Sequence, residues 1–251
     1  MRLIITDTYS QSAQLAAEQI LSVVRNKPAC LLGLATGSTP IPIYEHMVRA
    51  HKEGAADFSR VSTINLDEYM GVCGDNPNSY LYFMRKHLLD PCDIPLARVC
   101  IPNGESPIKE ELGRLNAYAN GHAIDIQLLG IGVNGHIGFN EPNDVFCDLF
   151  HDVELTAKTR ESNARMFRSL EEVPTRAITM GIGGIMRAGA IVIAATGEEK
   201  YAAMKALLED GDITPDNQAT ILKLHRDCTI YLDRALAGRI NPAGYVQVIN
   251  A

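Results

Sequence analysis

The sequence predicts one α/β domain built on an open, mainly parallel sheet with helices on both faces. Three observations predict it. Short apolar runs alternate with helical patterns along nearly all of the 251 residues. The runs are close to continuously apolar, as strands covered on both faces must be. No internal repeat, low-complexity tract or Pro/Gly/Ser-rich linker divides the chain, so residues 1–251 read as a single domain.

Leu3 to Thr6 is the first strand, followed by a helix over Gln11 to Arg25 in which Leu15, Ala16, Gln19 and Val23 recur at helical spacing. Cys30 to Ala35 is a strand that leads through a turn into a helix from about Pro40 to Lys52. Val61 to Leu66 is the next strand, with a helix over Tyr80 to Leu89 beyond its loop. A short strand near Val99, a helix at Lys109 to Ala119 and the long apolar strand Ile124 to Ile131 follow. Ala190 to Ala195 with a helix over Glu198 to Leu208, and a strand at Thr229 to Leu232, complete the rhythm. The segment 142–174 breaks it. That stretch is polar and rich in Asp, Glu, Arg and Thr, and reads as an excursion from the sheet, with a mobile lid as the expected role.

Bulk properties exclude some functions. The 23 Lys and Arg stand against 30 Asp and Glu, a net charge of −7 that opposes nucleic-acid backbones. No run approaches the roughly 20 apolar residues that span a bilayer. The MRLIITD start meets an acid too early for a signal peptide, so a cytoplasmic protein with no membrane partner is expected. The six cysteines show no CxxC pair and read as reduced core or loop residues.

Ligands of open parallel sheets bind beyond the carboxyl ends of the strands. Four such ends carry unusual polar chemistry. Thr36-Gly37-Ser38-Thr39-Pro40 joins a strand to a helix. Gly37 can take backbone angles closed to other residues, and Ser38 and Thr39 offer hydroxyls and N–H donors to a phosphate. An ordinary helix cap is the competing reading. Asn65-Leu66-Asp67-Glu68-Tyr69 ends a strand in two adjacent acids that point apart; Asp67 is the candidate general base, against a solvated acid or a cap.

The third end runs from Gly130 to Pro142 and sets His136 among close-spaced glycines. Asn134 and Glu141 are candidates to orient the imidazole; a structural His in a tight turn is the alternative. A metal site is disfavoured, since no second close His or Cys and no HExxH accompanies them. The fourth end, Thr196-Gly197-Glu198-Glu199-Lys200, places Lys200 in a first helical turn, where an exposed cation is not the usual choice and could serve a bound anion; a surface lysine with its stem packed on the helix is the alternative.

With GLATGSTP, INLDEY, GIGVNGHIGFNEP, SNARMF and TGEEK in order along the chain, the sequence resembles the glucosamine-6-phosphate deaminase family over essentially its whole length. The resemblance implies a Rossmann-like fold of the sugar-phosphate isomerase type, no metal or organic cofactor, and deamination of glucosamine 6-phosphate to fructose 6-phosphate and ammonia. It implies Asp67 as the base at carbons 2 and 1. His136 becomes the ring-opening acid/base, supported by Glu141 and Asn134, and Ser38, Thr39, Arg165 and Lys200 become phosphate contacts. A small-molecule partner and a monomer or small homo-oligomer are expected.

Two departures carry consequences. Asn134 stands where the family often has Asp. Its oxygen could accept from the imidazole but could not stabilise imidazolium as a carboxylate does, which shifts load to Glu141. The basic residues that allosteric members carry after FNEP correspond here to His151 and Val153, and the tail ends early at Ala251. No activation by N-acetylglucosamine 6-phosphate is therefore expected. Two rivals remain: a sugar-phosphate lactonase of the sister family, whose tyrosine in DEY is characteristically arginine, and a non-catalytic sugar-phosphate sensor.

Overall fold

The computed structural model describes residues 1–164, 167–244 and 246–251. In chain order the first half runs β1 (Arg2–Thr6), α1 (Tyr9–Asn26), β2 (Leu31–Leu34), α2 (Ile41–Lys52), β3 (Ser62–Asn65), β4 (Asp67–Tyr69), α3 (Tyr80–Met84), β5 (Val99–Cys100) and α4 (Ile108–Gly121). The second half runs β6 (Ile126–Leu129), β7 (His151–Glu154), α5 (Ala157–Asn163), β8 (Arg176–Thr179), α6 (Ile182–Met186), β9 (Ala190–Ala195), α7 (Tyr201–Leu208), β10 (Cys228–Asp233), α8 (Arg234–Ala237) and β11 (Gln247–Asn250).

Eight strands form one parallel sheet in the order β11-β1-β10-β9-β6-β2-β3-β5. Its inner strands β2, β6, β9 and β10 are buried on both faces, which is why they read as continuous apolar runs. Successive residues alternate between two cores, as the two-residue period of a strand requires. Leu32, Leu34, Val192 and Tyr231 pack under α1 and α2. Leu31, Ile191, Ile193 and Ile230 pack on the opposite face with Leu115 of α4, Ile185 of α6 and Met204 of α7.

Helix α1 starts at a capping box, in which Thr8 accepts from the N–H of Gln11 and Gln11 accepts from the N–H of Thr8. Its buried stripe is Ala13, Ala16, Ala17, Ile20, Leu21 and Val24. Of the expected stripe through Leu15, Ala16, Gln19 and Val23, Ala16 is buried, but Leu15 lies exposed, and Gln19 accepts from Tyr231 Oη at 2.7 Å. Small alanines win the sheet side because they let the helix sit close. The expected helix from Tyr80 to Leu89 is α3 followed by a π-helical turn, Arg85–Leu89, which runs on to a 3₁₀ turn at Pro91.

The described part of segment 142–174 adds no strand to the large sheet. Part of it becomes β7, which pairs antiparallel with β8, and β8 pairs antiparallel with β4 in a separate three-stranded sheet. One residue, Leu66, separates β3 from β4. Its N–H donates to Leu34 O at 3.2 Å and its carbonyl accepts from Met180 N at 2.7 Å, so it is pinned to both sheets. All six cysteines are free, with Cys73 exposed and Cys147 half-buried.

Candidate active site

Strands β9, β6, β2 and β3 are consecutive neighbours in the large sheet. Their carboxyl ends are the four segments singled out by polar chemistry, so the topology delivers those segments side by side. Between them lies a cleft of about 300 Å³, lined by Gly37, Ser38, Thr39, Asp67, Asn134, His136 and Lys200, among others. Glu141 sits one layer back, buried behind His136. Arg165 lies outside the described residues.

In the first loop Gly37 has φ of +103°, a backbone state closed to most side chains. Helix α2 begins at Ile41 with no side-chain cap. The hydroxyls of Ser38 and Thr39 are therefore not spent as helix caps, and both residues face the cleft. Tyr9 donates to Thr39 O at 2.6 Å and steadies the loop from α1. At the fourth strand end a 3₁₀ turn, Glu198–Lys200, precedes α7 and brings Lys200 to the same cleft.

Asp67 and Glu68 part as adjacent strand residues must. The Glu68 carboxylate accepts from the N–H groups of Tyr69 at 2.9 Å, Tyr80 at 2.8 Å and Leu81 at 3.1 Å, and so anchors the start of α3. Asp67 instead faces the cleft from a buried position, 7% exposed. Burial first, and the Glu68 charge second, push its carboxyl up to about 8. That is a basic carboxylate, suited to taking a proton from carbon.

The loop after β6 curls His136 back onto Gly132, where a Cβ would stand 2.3 Å from the imidazole Cε1; only glycine fits. Nδ1 of His136 is buried and lies 3.4 Å from Glu141 Oε2. Burial would raise the Glu141 carboxyl, but the imidazole, the Thr159 hydroxyl and the Asn134 amide outweigh it and hold the group down at about 2. Glu141 is therefore a fixed anion behind the ring. Gly138 of the same loop reaches toward the acid: a Cβ there would lie 3.5 Å from Asp67 Oδ2. Asp67 and His136 thus share one space.

Asn134 does not act as the sequence suggests. Its oxygen accepts from the backbone N–H of His136 at 3.3 Å, and its amide donates to Glu141 Oε2 at 2.6 Å. It supports the carboxylate instead of contacting the imidazole. The physical reason is charge: beside an ionised Glu141 an amide donor is favourable, whereas a second carboxylate would repel.

Sequence reasoning did not single out several residues of this region. Thr159 and Asn163 reach the cleft from α5, and Tyr80, Phe139, Thr196 and Glu199 also line it. Asn163 donates to Tyr69 Oη at 2.8 Å, and Tyr69 packs on Tyr80 and Phe139 with ring centroids 4.9 and 5.6 Å away. Asn163 lies within SNARMF, so that motif held a usable signal; Thr159 carried none. Among the described residues no cluster of three or more His, Cys, Asp or Glu could hold a metal ion, and no helix is long and apolar enough to cross a membrane.

A parallel α/β sheet whose carboxyl edge gathers hydroxyls, a lysine, a basic carboxylate and an imidazole defines the class: an α/β enzyme for a small anionic substrate. A profile described as glucosamine-6-phosphate isomerases/6-phosphogluconolactonase matches residues 6–228. A glucosamine-6-phosphate deaminase of Thermoanaerobacter sp. is 45% identical over 96% of this chain and 95% of its own length. One from Clostridium perfringens is 43% identical over 94% of this chain and 98% of its own. A solved structure described as a monomeric glucosamine-6-phosphate deaminase superposes with a TM-score of 0.91 at 39% identity, covering 95% of this chain and 99% of the other. The 6-phosphogluconolactonase of Trypanosoma brucei, at TM-score 0.73 and 18% identity, shares the fold. The chain belongs to the glucosamine-6-phosphate isomerase/6-phosphogluconolactonase family, on its deaminase side.

Proposed function

We propose that the protein converts glucosamine 6-phosphate and water to fructose 6-phosphate and ammonia by isomerisation coupled to deamination. The observation that carries this is the shared space between Asp67 and His136, with Ser38, Thr39 and Lys200 at the rim of the same cleft. The hydroxyls, the N–H groups of the Gly37 loop and the lysine hold the phosphate, and SNARMF would add Arg165. Anchoring one end of the sugar makes proton transfer at the other end nearly intramolecular.

Nδ1 of His136 is turned to Glu141, which leaves Nε2 for the substrate. It moves a proton from the anomeric hydroxyl to the ring oxygen, and the ring opens to an aldehyde. Asp67 takes the proton from carbon 2, which that aldehyde acidifies. Returning it to carbon 1 leaves an imine at carbon 2, and water hydrolyses the imine to ketose and ammonia. Glu141 holds the imidazole through the charge change, and Asn134 holds Glu141. The 142–174 excursion covers the site as a lid.

A monomer or small homo-oligomer in the cytoplasm belongs to the same reading. So does the absence of activation by N-acetylglucosamine 6-phosphate, because His151 and Val153 are edge-strand residues of the small sheet that add no fixed cation. The test is formation of ammonia and fructose 6-phosphate from glucosamine 6-phosphate, with and without the acetylated sugar. Hydrolysis of 6-phosphogluconolactone in place of ammonia release would move the chain to the sister activity. Tight binding without turnover would make it a sensor.

A further inference from the structure

Glu141 takes a hydrogen bond from outside its own loop. Thr159 of α5, buried at 6% exposure, donates its hydroxyl to Glu141 Oε1. The other oxygen, Oε2, accepts from the Asn134 amide at 2.6 Å. A carboxylate held by one donor is free to turn, because its terminal torsion has broad, two-fold wells. Two donors, one on each oxygen, fix its plane.

The direction of the Thr159 bond is also set. Thr156 donates its hydroxyl to Thr159 Oγ1 at 3.1 Å and accepts from Thr159 N–H at 3.2 Å. With that acceptor position filled, the Thr159 proton points to Glu141. Thr156 is the N-cap of α5, so the chain of hydroxyls exists only when the first turn of that helix is formed. Four residues beyond Thr159, Asn163 donates to Tyr69, which shares β4 with Asp67. One helix of the excursion therefore touches the support of the imidazole and the strand of the base.

We propose that Thr159 is a positioning residue for ring opening: its hydroxyl fixes the Glu141 carboxylate against His136 and makes the seating of α5 a condition of proton transfer. The inference rests on the deaminase reading above. Thr159→Val keeps the shape and removes the donor. Loss of a hydrogen bond to a charged group is expected to lower kcat for glucosamine 6-phosphate by about 10- to 100-fold. Binding of the reduced open-chain analogue, 2-amino-2-deoxyglucitol 6-phosphate, needs no ring opening and stays unchanged, which also reports an intact cleft. Thr159→Ser restores most of kcat.

In a Glu141→Gln background Thr159→Val costs little more, as expected for two groups that act as one unit. Thr159→Ala is made alongside in case the valine variant does not fold. An unchanged kcat in the folded variant overturns the proposal. So does a serine variant as slow as the valine one, because packing and not the hydroxyl would then matter. Full additivity with Glu141→Gln overturns it too. Wild-type protein that forms no ammonia overturns the deaminase reading itself, and this inference with it.

Discussion

The two carboxylates that serve the cleft, at the β3–β4 junction and in the loop after β6, stand in opposite electrical situations. Asp67 is buried beside a like charge, and its carboxyl rises to about 8. Glu141 is buried too, yet an imidazole, a hydroxyl and an amide bring it down to about 2. At Asp67 burial and a neighbouring acid favour the proton; at Glu141 an adjacent imidazole and two side-chain donors outweigh burial and favour the anion. The difference is made by neighbours, and substitutions of those neighbours can break it.

The largest expected effect is on Asp67. Replacement by Asn removes the base, and turnover measured by ammonia release falls about 10²- to 10⁴-fold. Binding of the open-chain analogue is retained. A variant that turns over at the wild-type rate would remove Asp67 from the mechanism. Glu141→Gln comes next: the ring loses its anion, and kcat is expected to drop about 10²-fold. If only KM responded, Glu141 would be a binding group.

A smaller effect concerns stability. The folded Asp67 value lies above the unfolded one, so the native state keeps a proton that the unfolded chain releases. The cost to folding begins above the usual carboxylate range and grows as pH rises toward about 8. Asp67→Asn should therefore stabilise the protein at pH 8, raising Tm by at least several degrees, with no gain at pH 3.5. Equal melting curves at pH 8 would mean that Asp67 is not held basic.

The smallest expected change is in the pH profile. In the empty enzyme the base is ionised only above its raised value, so kcat/KM should climb with pH up to about 8. Glu68→Gln removes the secondary cause and moves this limb to lower pH, by the smaller part of the whole shift because burial is the larger cause. A limb that stays in place would show that Glu68 is electrically silent at Asp67.

The large sheet was legible because strands buried on both faces must be apolar throughout, and Ala190–Ala195 carries the same limits in sequence and structure. The small sheet was not. β4, β7 and β8 are three or four residues long, and Asp67-Glu68-Tyr69 and His151-Asp152-Val153-Glu154 read as loop because their pairing is tertiary. Edge strand β11 is exposed throughout and lacks an apolar run for the same reason. In the cleft, residues that carry chemistry in glycine-containing turns at strand ends, such as His136 and Lys200, advertise themselves. Thr159 does not, because a threonine in a polar helix looks like any other; only the fold brings it within reach of Glu141. Asn134 was noticed, but its partner could not be read, since an amide donates as readily as it accepts.

The single-residue step at Leu66 has a mechanical consequence. Asp67 is joined covalently to the sheet that forms the floor of the cleft, and through ladder bonds to Thr179 it belongs to the sheet that forms the wall. Any relative displacement of floor and wall has no slack loop in which to be absorbed at this point, and falls on the backbone of the reacting carboxylate. The reach of the base is thereby geared to how the small sheet sits.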